Sequence, residues 1–455
     1  MQVNKNIDPN TEIIIPPYVI NIIRELEIHG HHACIVGGAV RDLIIGRTPE
    51  DFDVVSSAEV HEVRRIFDKV LPIGEKHGTS VVFYNGETVE ISRCKKGCQI
   101  VDDWSACLEE DLLHRDFTIN AMAMDLEGEI VDPFGGQDDM INRVIRSPLD
   151  SSVNRFREDP LRMLRAIRLG TVLNFSLDEK LGEAIKECQA LLVQVSPERV
   201  REELNSILVS SHPDLGIRLM VDTGLMKLVI PELVDAVGFK QHNPAHIYDV
   251  FNHTLAVLAK VPADLELRLA ALLHDIGKPA VFTMDEQGIG HFYQHQYKGQ
   301  VMAEIILTRL RYSKETVQTV SILVREHMSW LENPTPEAVK RLINRVGAAN
   351  LPKLFALQRA DLLGSAPSHD PSFIDRTQTM AEEILHNNAP LTIKDLAISG
   401  RDLIDMGYQP GIEMGKTLQS LLEIVLTDAQ ENNKDRLLQL AREWLVTLSL
   451  YPHRH

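Results

Sequence analysis

The first 140 residues alternate between short apolar runs and polar turns, and the remainder is built on a helical period. A run at Ala33 to Val36 stops at Gly37-Gly38. Val40, Leu43 and Ile44 then recur at helix spacing up to Gly46, and after a polar turn Asp51 and Asp53 lead into Val54 and Val55. This predicts a strand, a glycine turn, a helix, and a second strand carrying two acids. A helix over residues 13–28 precedes the unit, and another is expected over 59–69. Residues 70–82 read as a strand with a glycine turn, and after Asn85-Gly86 the alternation of 88–92 predicts a further strand. Residues 93–107 form a polar loop. Residues 141–238 read as helical throughout, as do the histidine-rich stretch from Asn243 and the part from 371 onward. The class is α+β: a small mixed sheet with helices at the front, then all-α parts.

The acid pair brings chemistry to this frame. Residues i and i+2 of a strand share a face, so Asp51 and Asp53 stand side by side while Phe52 turns into the core. Two such carboxylates repel unless a cation lies between them, and hard oxygen ligands suit Mg²⁺ that also touches phosphate. Paired glycines let backbone N–H groups approach a phosphate at the start of a helix. Glu90, between Val89 and Ile91, is a third acid on a strand near the pair. An ordinary core-edge glutamate is the competing reading.

Gly37, Gly38, Val40, Arg41, Asp42, Asp51 and Asp53 resemble the first motif of class II tRNA nucleotidyltransferases and bacterial poly(A) polymerases. Arg115, Asp116, Phe117, Thr118, Ile119, Asn120 and Ala121 are similar to the second motif, with His114 where the family has arginine. Residues 130–138, IVDPFGGQD, resemble the segment that closes the family's catalytic head. EDPLRMLRAIRL is similar to a third motif, with Asp159, Arg162, Arg165 and Arg168, and Ser196-Pro197-Glu198-Arg199-Val200 to a last one.

The resemblance implies that Asp51, Asp53 and Glu90 are catalytic in a two-metal mechanism, with two Mg²⁺ ions on Asp51 and Asp53. It implies nucleotide binding by Gly37, Gly38, Arg41, Arg115, Asp116, Asn120, Asp159, Arg162, Arg165 and Arg168. The Asp159/Arg162 pair makes chemical sense. A carboxylate accepts and a guanidinium donates, which complements the amine-beside-acceptor edges of cytosine and adenine and rejects uracil and guanine.

Composition narrows the partners. A net charge of −18 argues against nucleic-acid binding over the whole surface, yet residues 143–168 hold seven arginines against three acids. No apolar run approaches the roughly 18 residues of a membrane span. Five scattered cysteines suggest reduced thiols and a cytoplasmic protein, and Cys94 and Cys98 lack the second pair of a zinc ribbon.

Downstream, His253, His274, Asp275 and Asp361 follow the order of an HD hydrolase domain, which they resemble. Imidazoles and carboxylates from separate helices bind a divalent metal, here Mn²⁺, Ni²⁺ or Mg²⁺. His291, His295 and His327 are read evenly as further ligands or as structural histidines. ISGRDLIDMGYQPGIEMGKTLQSLLEIVL resembles the tail of bacterial CCA-adding enzymes, with Gly407, Pro410, Gly411 and Gly415 in a turn between helices.

The expected division is a head at 1–140, a neck at 141–238, an HD domain at 239–370 and a tail at 371–455. The expected activity is untemplated addition of C and A to the 3′ end of tRNA from CTP and ATP. The alternatives are CC-only or A-only addition, a poly(A) polymerase, a phosphohydrolase centred on the HD domain, and a catalytically silent RNA-binding protein. The 93–107 segment bears on the first of these. In the family a shortened loop there accompanies CC-only addition, and this one is short and lacks a basic stretch.

Overall fold

The computed structural model describes residues 14–71, 78–94, 103–149, 152–242, 247–365 and 370–450. The chain folds as two units, Met1–Val229 and Ile230–His455. The first holds a seven-stranded sheet of β1 (Ala33–Val36), β2 (Asp53–Ser56), β3 (Val70–Leu71), β4 (Thr79–Tyr84), β5 (Glu87–Arg93), β6 (Ala123–Met124) and β7 (Ile130–Val131), in the order β3-β4-β5-β2-β1-β6-β7. Among its pairings only β2 with β5 is parallel, so the sheet is mixed, as expected. Its early helices are α1 (Pro17–Ile28), α2 (Gly38–Ile44), α3 (Val60–Ile66), α4 (Trp104–Leu113) and α5 (Gly136–Asn142).

The pleat decides what faces what. Cys34, Val36 and Val55 share one buried cluster with Leu108 and Leu112 of α4. Asp53 has the parity of Val55, so it stands at the end of the face that α4 covers. Phe52 and Val54 are buried, Phe52 edge-on to Tyr18. Strand β2 begins only at Asp53, so Asp51 lies in the preceding segment and not on the strand. Phe52 is nonetheless turned inward as expected.

The helical remainder of this unit runs α6 (Ser152–Glu158), α7 (Arg162–Leu173), α8 (Glu179–Cys188), α9 (Pro197–Leu208), α10 (Pro213–Asp222) and α11 (Met226–Val229). It is not wholly helical. Two-residue strands β8 (Val144–Ile145) and β9 (Ser176–Leu177) pair in parallel, and runs this short leave no period in the sequence. Helix α7 buries Leu164 and Ile167 against α9, whose start is capped by Ser196. Beside that packing, Arg165 and Arg168 reach Glu203 of α9, and Arg162 reaches back to Glu158.

The second unit is α12 (Pro231–Val234), α13 (Val250–Lys260), α14 (Leu265–Leu273), α15 (Lys278–Val281), α16 (His295–Arg309), α17 (Lys314–Glu326), α18 (Pro336–Val346), α19 (Leu351–Ser365), α20 (Ser372–His386), α21 (Gly400–Asp405), α22 (Ile412–Thr427) and α23 (Lys434–Leu450). A hairpin of β10 (Thr283–Met284) and β11 (Gly290–His291) interrupts it. Gly407 and Gly411 lie between α21 and α22 with positive φ, but Gly415 sits within α22. No helix among the described residues is long and apolar enough to cross a membrane.

Two expectations are corrected near β5. The 93–107 segment is not all loop: α4 starts at Trp104, with the Asp103 carboxylate accepting from Ala106 N, and Trp104 stacks on His32. Residues 95–102 of that segment, Cys98 included, lie outside the described residues. Cys94 and Cys107 are joined as a disulfide, contrary to the expectation of reduced thiols. Both pack on one cluster beneath α4 with Cα atoms 6.1 Å apart, inside the span a disulfide bridges. Linear spacing carries no sign of that proximity. Cys34 and Cys188 are free and buried.

Candidate functional site

Three acids gather near the end of the sheet where β1 stops and β2 begins. The parallel register places Glu90 of β5 directly opposite Asp53 of β2, on the same face. Asp51 and Asp53 line one cavity of about 540 Å³ with Gly38, Arg41, Asp42 and Arg168. Burial is the largest influence on Asp53 and raises its pKa; Asp51 adds to the rise and Arg115 opposes it. Glu90 is raised by burial and then by the Asp53 charge. Groups that disfavour each other's ionisation this way form a ready site for a divalent cation.

Gly37 is required by its backbone. Its φ is +78°, and a Cβ there would lie 2.6 Å from Arg115 Nη1. The Arg115 guanidinium therefore lies across the glycine turn, beside Asp53, with its Nε 3.3 Å from Asp111 Oδ2. Helix α2 has only seven residues, so the arginines and N–H groups matter more here than a helix dipole.

A chain of contacts runs from this turn into α7 and α9. Arg41 Nη1 donates to Asn120 Oδ1 at 2.7 Å, and Asn120 Nδ2 donates to Asp116 Oδ1 at 3.1 Å. Asp116 Oδ2 accepts from Arg165 Nη1 at 3.0 Å, and Arg168 Nε donates to Glu203 at 2.7 Å. Burial would raise the Asp116 pKa, but Arg165 and Asn120 outweigh it and keep the carboxyl below its usual range. Asp159 and Arg162 stand at the start of α7, where Arg162 N donates to Asp159 O at 3.1 Å, but their side chains bond elsewhere. Asp159 Oδ2 accepts from Arg199 Nη2 at 3.0 Å, while Arg162 Nη1 donates to Glu158 at 3.2 Å.

Glu158 and Arg199 lay inside quoted motifs without a role of their own, and Glu203 was not singled out. Arg199 and Glu203 are one helical turn apart on α9, so helix spacing alone would have put them on one face. His114 also gains a place. Its Nδ1 lies 2.9 Å from Arg155 Nη1, which can only donate, so the ring proton is on Nε2, 2.9 Å from Glu110 Oε1. A second arginine at 114 would face Arg155.

The second unit holds a separate buried cluster. His253 comes from α13, His274 and Asp275 from the turn after α14, His295 from the start of α16, His327 from the end of α17 and Asp361 from α19. All six are almost fully buried. His253 Nε2, His274 Nε2 and Asp361 Oδ1 are 3.1 to 3.9 Å apart. A triangle with those sides has a centre about 2.0 Å from each corner, the reach of a metal–ligand bond. Asp275 Oδ2 lies 3.2 Å from His274 and 3.4 Å from His253. Burial opposes its ionisation, but His274 and Lys278 hold its carboxyl well below the ordinary range. His295 and His327 join this cluster, whereas His291 on β11 pairs with Asp285 of the hairpin turn and belongs to neither metal-ready group.

The chain is similar in sequence and fold to known proteins. Residues 33–146 match the poly(A) polymerase head domain, 174–237 the RNA and SrmB-binding site of polymerase A, 245–364 the HD domain and 372–441 the tRNA nucleotidyltransferase domain 2. A CCA-adding enzyme of Geobacillus thermodenitrificans is 42% identical over 451 residues, covering 95% of this chain and 98% of that protein. A CC-adding tRNA nucleotidyltransferase of Halalkalibacterium halodurans is 42% identical over 210 residues, 46% of this chain and 53% of its own length. The crystal structure of the Bacillus stearothermophilus CCA-adding enzyme in complex with CTP superposes with a TM-score of 0.69 at 27% identity, over 96% of this chain and 99% of that one.

Proposed function

The chain belongs to the family of CCA-adding enzymes, and on that premise we propose that it extends the 3′ end of tRNA with C and A, using CTP and ATP and releasing pyrophosphate. The observation that carries the reading is the parallel register that sets Glu90 against Asp53, with Asp51 in the same cavity. These carboxylates fit Mg²⁺, because burial and mutual repulsion leave them in need of a cation. When bound, the ion would lower the pKa of the tRNA 3′-hydroxyl and offset the triphosphate charge. Arg115 and the Gly37-Gly38 backbone would hold the phosphates, with Arg41 fixed beside them by Asn120. Arg162 and Asp159 would read the base edge, the first steadied by Glu158 and the second by Arg199. Asp116, Arg165, Glu203 and Arg168 would keep the phosphate and base ends in register.

The reading keeps four parts, a head at 1–140, a neck at 141–238, an HD domain at 239–370 and a tail at 371–455, in support of which the four family matches fall in the same order. Such a substrate belongs in the cytoplasm. The HD part is read as a divalent-metal site on His253, His274, Asp275 and Asp361. The CC-adding relative keeps partial addition as the second reading.

Asp51→Ala and Asp53→Ala should each lower nucleotide addition by at least about a thousandfold while tRNA affinity, measured by filter binding, stays within about threefold. Near wild-type turnover in either variant would remove the metal assignment.

A further inference from the structure

His114 does something that an arginine at its position could not. Arginine carries five donors and no acceptor, whereas a neutral imidazole offers one of each. Here Nε2 donates to Glu110 Oε1 at 2.9 Å and Nδ1 accepts from Arg155 Nη1 at 2.9 Å. Arg155 comes from α6 and is buried. Its Nη2 donates at 3.0 Å to Leu113 O, one of the last carbonyls of α4, which no further helical turn can satisfy. Its Nη1 has two hydrogens. With one on the imidazole, the other goes to the Glu158 carboxylate, 3.0 Å away at Oε2. Arg155 Nε is buried without a hydrogen-bond partner among the described residues, so the Nη atoms alone fix the guanidinium.

Glu158 Oε2 also accepts from Arg162 Nη1, at 3.2 Å. A continuous line of side chains therefore runs from Glu110 through His114, Arg155 and Glu158 to Arg162, and His114 is the residue next to Arg115. Glu158 by itself is a poor anchor, because its side chain is 53% exposed and an exposed ion pair holds little. Buried Arg155 supplies the fixed end. We propose that His114 is a positioning residue for base selection. By accepting from one Nη1 hydrogen of Arg155 it directs the other onto Glu158, and Glu158 then holds Arg162 in the orientation that reads the nucleotide base. This rests on the reading of Arg162 as a base reader and adds the residues that aim it.

The consequence lies in discrimination. Without an acceptor at position 114, Arg155 Nη1 is free to turn, Glu158 loses its fixed partner, and Arg162 can shift. A guanidinium that shifts can offer its donors to the uracil O4 carbonyl, which stands where cytosine has its amine. A substitution that merely loosens the fold lowers addition from CTP and UTP together, whereas one that releases Arg162 changes their ratio.

The full-length protein is given tRNA lacking its 3′ end, and kcat/KM is measured for CTP and for UTP. His114→Leu removes the acceptor and should cut the CTP-to-UTP ratio at least about fivefold. His114→Asn sets an amide oxygen near the place of Nδ1 and should keep the ratio within about twofold of wild type. Arg155→Lys keeps the charge but lacks the planar fork that spans His114, Leu113 O and Glu158, and should lower the ratio as His114→Leu does. The double variant should be no worse than the worse single one, because both break the same line. The His114 side chain is about one-third exposed, so its variants should fold, and cooperative melting by circular dichroism checks that they do. Arg162→Ala is run alongside. If it changes the ratio while His114→Leu leaves the ratio at the wild-type value, or lowers both nucleotides equally, His114 has no part in selection and the assignment is overturned, while base reading by Arg162 stands. A His114→Asn variant as indiscriminate as His114→Leu overturns it too, because the acceptor is then not what matters. An unchanged ratio in Arg162→Ala removes base reading by Arg162 and the role of His114 with it.

Discussion

Asp53 is held against its own preference. Burial raises its pKa, Asp51 raises it further, and Arg115 only partly compensates. A carboxyl whose folded pKa exceeds its unfolded value contributes stability that is fully present below the unfolded pKa, about 3.9 for Asp, and is lost as pH rises through the folded pKa. At neutral pH the ionised group is therefore a liability in the metal-free protein. Asp53→Asn should raise Tm at neutral pH in the presence of a chelator, and the gap should close as pH falls below the ordinary Asp range, while nucleotide addition is lost. An Asn variant no more stable than wild type at neutral pH would mean that Arg115 has already neutralised the strain. The same residues should set an acid limit of activity, read from a pH profile of nucleotide addition. Because Asp53 and Glu90 both have raised pKa values, the charged forms needed for a cation disappear at a higher pH than free carboxylates would require.

At the scale of elements, the turn from β1 into α2 is decisive. In Gly37→Ala the new Cβ meets the far end of Arg115, which can swing aside, so the fold survives. The positive φ, combined with a ψ of −139°, should cost about 1–3 kcal/mol, and the displaced guanidinium should raise KM for CTP at least about tenfold. An unchanged KM would show that Arg115 does not hold the nucleotide.

The strand–glycine–helix unit and the helices of both units were legible because apolar runs and helical spacing are local signals. Other features were not, because they depend on pairing between distant segments. The register that opposes Glu90 to Asp53 is one, and the Cys94–Cys107 closure is another. Strands β8 and β9 are too short to leave a pattern. Motif order supplied His253, His274, Asp275 and Asp361, but His295 and His327 sit at helix ends, where spacing does not distinguish a ligand from a structural histidine. Asp159 and Arg162 were read as one pair; Glu158, four residues before Arg162, is a local partner, whereas Arg199 reaches Asp159 only once α9 packs on α7.

Taken whole, the molecule is an acidic chain with a local run of arginines on α6 and α7, and with one chemically distinct metal-ready centre in each of its two units. Oxygen ligands at the sheet edge suit Mg²⁺ and a triphosphate, and nitrogen-rich ligands among the later helices suit a softer ion. The division implies that nucleotide addition survives loss of the nitrogen-rich cluster. The central claim is that the first unit builds C and A onto tRNA in order. The most direct measurement gives the pure protein a tRNA that lacks its 3′ end, with CTP and ATP singly and together, and sequences the products. The account predicts two C residues with CTP alone, CCA with both, and little extension of unrelated RNA. Arrest at CC with ATP present, or a long A tail on any RNA, would contradict it.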